Sequence, residues 1–256
     1  MESLLNHPWP LFIVTALSLA AVIEGGYQCA IRLRIQQESN RKDQMIAIRD
    51  GLFILVGLLF GFTLALAVPR FADRRLLLID EANAIGTAYL RASTLTSPDR
   101  EQAQQLLREY VDARLDLDNA GLDGARFADA ADRAKHIQEQ LWQTVIEVTK
   151  TDRSAVAATY ISSLNQMIDL DEKRRSATEN RIPGPVWLLI FSVSIIALFT
   201  RGLTLAGRFW LTLVLAPLTI AIVVALIADL DTPSSGFIRL DQRAMIRLKA
   251  DITRGQ

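Results

Sequence analysis

Four apolar blocks constrain this chain more than any other feature. They read PWPLFIVTALSLAAVIEGGYQCAI at 8–31, GLFILVGLLFGFTLALAV at 51–68, PGPVWLLIFSVSIIALFT at 183–200 and RFWLTLVLAPLTIAIVVALIADL at 208–230. A helix needs about 20 mostly apolar residues to cross a bilayer, and each block is close to that length. A lipid-exposed strand or loop cannot satisfy its backbone polar groups there. The blocks therefore predict an all-α integral membrane protein with four transmembrane helices in two pairs and a helical-bundle domain between them. The boundaries follow: a first helix pair at 1–68 with a basic loop at 32–50, a polar helical domain at 69–182, a second pair at 183–230, and a tail at 231–256 with a short amphipathic helix. No basic residue precedes the first apolar run, so that block reads as retained rather than as a signal peptide. Trp9, Trp187 and Trp210 stand near block ends, where interfacial aromatics belong.

Charge is segregated from the blocks. The 28 acidic and 28 basic residues lie mostly between them, so the zero net charge says nothing about partners beyond the lipid bilayer. No basic face with interleaved aromatics is present, which argues against nucleic acid. Cys29 is the single cysteine, which excludes an intramolecular disulfide or a cysteine metal site. His7 and His136 are the only histidines and are far apart, and there is no phosphate loop, nucleophile elbow or zinc-helix motif. We expect no enzyme, no metal and no cofactor.

The polar region reads as helices throughout. No glycine or proline breaks the run from Arg70 to Ile85, and RRLLLIDEANAIGTAYLRASTL at 74–95 continues the second block's helix past Pro69 into water. That helix is expected from about 51 to about 95, with Ser97 capping the next one and Pro98 in its first turn. NAGLDG at 119–124 is a turn, and two further helices follow.

Small residues recur at spacings of four along the long helix. Gly57, Gly61 and Ala65 form a ridge in the membrane block, and Gly86 continues the device in the polar part. Such ridges let backbones approach closely, either within one protomer or between identical helices around a symmetry axis. Phe53, Val56, Phe60, Thr63 and Ala67 fall on one side of the block, and Leu55, Leu59, Phe62 and Leu66 on another. The first set are candidates to line a narrow apolar pore, with Asp80, Asn83, Thr87 and Arg91 lining a wet vestibule beyond it. Both sets equally suit packing or solvation. Glu24 is the one carboxylate well inside a block, a functional candidate by default, although Gln28 or Arg32 can partner it. Asn165, Asp169, Arg174 and Arg175 share one polar helix, where a surface salt-bridge network is the ordinary reading.

The stretches EANAIGTAYLRASTL, LLREYVDARL, SLNQMIDLDEKRRSATENRIPGPVW and ADLDTPSSGFIRL resemble, in order, the signatures of a bacterial bestrophin-like membrane-protein family. LFGFTLALAVPRFADRRLLLIDEANA is similar to the pore-helix segment of true bestrophins, with Pro69-Arg70-Phe71-Ala72 where those have an Arg followed by paired tryptophans. The resemblance implies a homo-oligomer, a pentamer in bestrophins, that conducts small ions, anions first. It also implies a bacterial inner-membrane location and a cytosolic helical domain. The charges point to the other orientation. Arg32, Arg34, Arg41, Lys42 and Arg49 place the first loop in the cytoplasm, and Arg201 and Arg208 agree. The alternative function is a membrane-anchored helical sensory or scaffolding module without transport.

Overall fold

The computed structural model describes residues 8–33, 39–205, 207, 210–232 and 236–254, with the backbone alone at Pro8, 39–42 and Thr212. His7, Arg34 and Arg208 lie outside the described residues, as do the side chains of Arg41 and Lys42. Among the described residues there are eight helices and no strand. They are α1 (Pro8–Arg32), α2 (Ser39–Ala92), α3 (Asp99–Asn119), α4 (Gly124–Thr151), α5 (Ala155–Glu179), α6 (Gly184–Thr204), α7 (Trp210–Asp231) and α8 (Arg243–Arg254). Four helices, α1, α2, α6 and α7, contain stretches long and apolar enough to cross a membrane.

Two boundaries differ from expectation. α2 begins at Ser39, so much of the basic segment read as a loop is helical, and its 54 residues end at Ala92. Beyond Ala92, Ser93, Thr94 and Leu95 donate their N–H groups to carbonyls three residues back and the helix tightens into a turn. Ser97 is not the cap of α3. Pro98 holds the cap position with φ −87° and makes no side-chain cap bond.

The chain divides into two compact units. The first comprises Met1–Phe71 and Arg181–Ile238. In it α1 packs chiefly on α6 and α7. The closest approach is at Gly26 and Gly202. A Cβ on Gly26 would lie 2.2 Å from the Phe199 carbonyl oxygen, and one on Gly202 would lie 2.2 Å from that of Ile23. Lipid supplies little hydrophobic drive between helices, so close backbone packing of this kind carries the association. Leu19, Ile23, Val56, Phe60, Ile190, Leu198 and Val224 form the core around it. Trp187 belongs to that core rather than to an interfacial belt: it is buried and stacks on Phe191 at 6.1 Å. Trp9 and Trp210 are exposed, as interfacial rings are. At the end of α7, Asp231 accepts from the Ile182 N–H, and Asp229 accepts from the N–H groups of Phe237 and Ile238 at 3.0 and 2.9 Å. Gly236 makes that turn possible at φ +110°, because a Cβ there would sit 1.7 Å from Asp229 Oδ1.

The second unit comprises Ala72–Asn180 and Arg239–Gln256. Its helices start where polar caps stand: Asp123 accepts from the Arg126 N–H before α4, and Ser154 Oγ from the Ala157 N–H before α5. The turn between α3 and α4 uses Gly121 at φ 58°. Ile85, Ala88, Leu107, Tyr110, Leu141, Tyr160, Leu164 and Met167 make the core. α8 adds buried Met245 and Ile252. Its Leu248 fits over Gly86, where a Cβ would meet Leu248 Cδ1 at 3.1 Å. Gly86 thus lies close against α8 of its own chain.

Candidate functional site

The expected pore lining is buried inside the protomer. Val56, Phe60, Thr63 and Ala67 are all buried and Phe53 is half-buried. Phe53, Val56, Phe60 and Ala67 belong to the apolar core of the first unit, and Thr63 Oγ1 donates to the Leu59 carbonyl at 2.7 Å. The reason is geometric. The face at 56, 60, 63 and 67 is the one α2 turns to the other helices of its unit, so it cannot also face an open axis.

The opposite face of α2 is exposed among the described residues. Ile54 is 74% exposed, Leu58 52% and Phe62 63%, at steps of four. Gly57, Gly61 and Ala65 lie on the same exposed arc. A Cβ built on Gly57 or Gly61 meets nothing within 4 Å. Packing of this ridge within one protomer, one of the two readings open from sequence, is thereby overturned. At 3.6 residues per turn the arc continues along α2 through Pro69, Ala72, Leu76, Asp80, Asn83 and Thr87. Of these, Thr87 is half-buried and the others are exposed.

The vestibule candidates divide. Asp80 and Asn83 face solvent. Thr87 Oγ1 donates to the Asn83 carbonyl at 2.9 Å, and Arg91 Nη1 donates to the Thr159 carbonyl at 2.9 Å, which ties α2 to α5. Glu24 is half-buried in α1 and accepts from Gln28 Nε2 at 2.9 Å.

Behind Asp80, α2 turns Glu81 into the core of the second unit, where it is fully buried. Arg114 of α3 pairs with Glu81 (Nε to Oε1, 2.7 Å) and with Asp171 of α5 (Nη1 to Oδ1, 2.5 Å). Arg174 of α5 donates to Glu81 Oε2 at 2.6 Å and also to Asp118 Oδ1 of α3. Gln138 of α4 donates to Asp171 Oδ2 at 3.0 Å and to the Tyr110 hydroxyl at 2.9 Å. Burial is the strongest single influence on Arg114 and opposes its charge, but Glu81, Tyr110 and Asp171 together outweigh it, and the guanidinium is held above its ordinary pKa. Burial pushes the Tyr110 hydroxyl up. One cluster thus joins α2, α3, α4 and α5. Nearby, buried Arg74 donates to the carbonyls of Ala177 and Asn180 at 2.8 and 3.0 Å, satisfying the open end of α5.

The surface salt-bridge reading holds for part of its residues only. Asn165 and Asp169 are exposed and Arg175 is mostly so, whereas Arg174 lies in the buried cluster. Sequence reading missed Glu81, Arg114, Asp118 and Asp171. A signal was present: Arg114 continues the apolar spacing of Leu107 and Tyr110, and Asp171 that of Leu164 and Met167. A charge at a core position of a helical repeat points to a buried partner.

An all-helical fold with four membrane-length apolar helices defines the class: this is a membrane protein, associated with the lipid bilayer. A family model described as a Bestrophin-like domain matches residues 39–245, and the chain belongs to that family. Solved structures of similar fold include a Klebsiella pneumoniae bestrophin homologue carrying a point mutation. It has a TM-score of 0.72 at 12% identity, over 95% of this chain and 98% of that one. A Klebsiella pneumoniae bestrophin homologue phased with zinc has a TM-score of 0.69 at 14% identity, over 96% and 98%. At such identities the likeness is one of fold. No curated protein matches the chain.

Proposed function

We propose that the chain is a multi-pass protein of the bacterial inner membrane. It assembles as a homo-oligomeric ring and passes small ions, anions the favoured class, along an axis bordered by the exposed arc of α2. It performs no enzymatic reaction and needs no cofactor. Two pairs of transmembrane helices carry the helical domain, and five copies is the number the family resemblance suggests. The observation that carries this reading is the uncovered apolar arc Ile54–Leu58–Phe62, flanked by the Gly57–Gly61–Ala65 ridge. Glycines let neighbouring copies of α2 approach, and a ring of Ile, Leu and Phe side chains makes a narrow neck that gates by dewetting. The lining thus moves from Phe60 to Phe62, half a helical turn away. Asp80 and Asn83, exposed on the continuation of the arc, replace the full vestibule set.

The test is halide efflux from liposomes holding the purified protein. Efflux should exceed that of empty liposomes, and Phe62→Ala should raise it severalfold by widening the neck. Phe60→Ala should change stability without raising efflux per folded protein. No flux from either the native chain or Phe62→Ala, over a range of pH and calcium, would overturn conduction and leave the sensory or scaffolding module. Greater efflux from Phe60→Ala than from Phe62→Ala would overturn the reassigned lining alone.

A further inference from the structure

The first unit contains a groove of about 350 Å³ between the start of α1 and the end of α7. Trp9 and Phe12 line it from α1, Ile222 and Leu226 from α7, and Phe237 from the turn beyond, with Asp229 also in the lining. The aromatic rings meet edge to face, Trp9 with Phe237 at 5.2 Å and with Phe12 at 6.4 Å. Trp9 and Phe237 are both largely exposed, so the groove is open to what lies around it.

Asp229 is the unusual member. It is 4% exposed, and its two oxygens accept from the N–H groups of Phe237 and Ile238. Accepting with both oxygens is the pattern of an ionised carboxylate. No cationic side chain among the described residues pairs with it. It stands in the last turn of α7, where the helix dipole adds negative rather than positive potential. Asp231 shares that turn and is engaged elsewhere, with the Ile182 N–H. A buried carboxylate without a cation is costly, and here the missing charge would have to enter through an apolar, aromatic groove.

That combination selects its occupant. A hydrated metal ion finds too few oxygen ligands. An anion is repelled, and an uncharged chain gains nothing from Asp229. A primary ammonium brings three N–H donors that must leave water, and apart from Asp229, each of whose oxygens already accepts one N–H, no side chain in the lining accepts a hydrogen bond. A quaternary ammonium donates no hydrogen bond, is attracted to aromatic faces, and can bring an apolar chain for the walls. We propose that this groove binds a quaternary ammonium carried on an apolar chain, with Asp229 as its counter-charge. The proposal rests on the groove and on the membrane character of the chain, not on conduction.

The test is quenching of Trp9 fluorescence in the purified full-length protein by two bromine-bearing amphiphiles of equal chain length. One carries a trimethylammonium head and the other a maltoside. The trimethylammonium amphiphile should bind at least about tenfold more tightly, from the attraction of opposite charges at reduced dielectric. Trp9→Phe should remove the difference in quenching between the two head groups and so assign it to Trp9, whatever quenching of exposed Trp210 remains. Asp229→Asn should erase the preference, and Phe12→Leu should weaken the cation while leaving the maltoside unchanged. Equal affinities on the native chain would overturn the proposal, as would a head-group difference in quenching that persists in Trp9→Phe or a preference that survives Asp229→Asn. Should Asp229→Asn fail to fold, the amphiphile pair on the native chain and on Phe12→Leu decides.

Discussion

Replacing Arg114 with Met should destabilise the protein more than replacing Glu81 with Gln, although both residues sit in one cluster and make direct ion pairs with each other. The reason is charge balance. The buried groups are Glu81, Asp118 and Asp171 against Arg114 and Arg174, with side-chain exposures of 0–15%. Arg175 approaches Asp171 at 3.6 Å but is 54% exposed, so water screens its contribution. Glu81→Gln leaves two carboxylates facing two guanidiniums, and each arginine keeps one carboxylate partner; of Glu81's two contacts, Gln Oε1 can still accept one, so the loss is about one charge-assisted contact, roughly 1.5–3 kcal/mol. Arg114→Met leaves three carboxylates facing Arg174, deprives Asp171 of its 2.5 Å partner, and should cost about 3–5 kcal/mol, the range for removing one partner from a buried ion pair. Thermal unfolding in detergent, followed by helical circular dichroism, measures both. Equal losses, a larger loss for Glu81→Gln, or no loss above about 1 kcal/mol in either variant would refute the cluster as drawn.

Gly202→Ala should block folding of the first unit, since its Cβ would fall 2.2 Å from the Ile23 carbonyl oxygen; normal yield and melting temperature in detergent would contradict the close crossing of α1 and α6. Gly61→Leu should leave the fold of the protomer intact and lower its oligomeric state, because nothing among the described residues lies within 4 Å of a Cβ at that position; light scattering that shows an unchanged oligomer would place the ridge against lipid. Stability should fall as pH rises above about 10, by up to about 1.4 kcal/mol per pH unit, because an unfolded tyrosine then loses a proton that buried Tyr110 retains. The sign follows from the raised folded pKa: the stabilisation is complete below the unfolded value and is lost above it. Tyr110→Phe should flatten that slope, and an unchanged slope in the variant would refute the assignment.

The four apolar blocks and the turn at 119–124 were legible because each rests on local chemistry: length against a bilayer, glycine at positive φ. The faces of α2 were not. Its membrane part is apolar all round, so hydropathy cannot separate Phe60, which is buried, from Phe62, which is not. Only the positions of α1, α6 and α7 decide between them, and those are set by contacts such as Gly26 on Gly202, about 175 residues apart along the chain and small enough to escape a search for chemistry. Glu81 was hidden for a related reason. It stands beside Asp80 and two before Asn83, and a run of polar residues reads as a solvated face until the partners on α3 and α5 are known. Trp187 shows the limit from the other side. A tryptophan near a block end has an interfacial explanation at hand, yet this one is buried against Phe191.

The two stretches of α2 use small residues for opposite ends. In the polar stretch, Ala82, Ala84, Ala88 and Ala92 are buried and Gly86 receives Leu248, so small side chains bring helices of the same chain together around the ionic cluster. In the membrane stretch, Gly57, Gly61 and Ala65 are exposed, and nothing among the described residues comes within 4 Å of a Cβ at either glycine. Glycine inside a water-exposed helix lowers helix stability by about 1 kcal/mol relative to alanine, and in a bilayer its return comes from close packing against a neighbouring helix. Since no helix among the described residues supplies that neighbour, the packing argument points to another copy of the chain. The buried arginine cluster holds the polar stretch of α2 to α3, α4 and α5, so that stretch is fixed by ion pairs as well as by close packing.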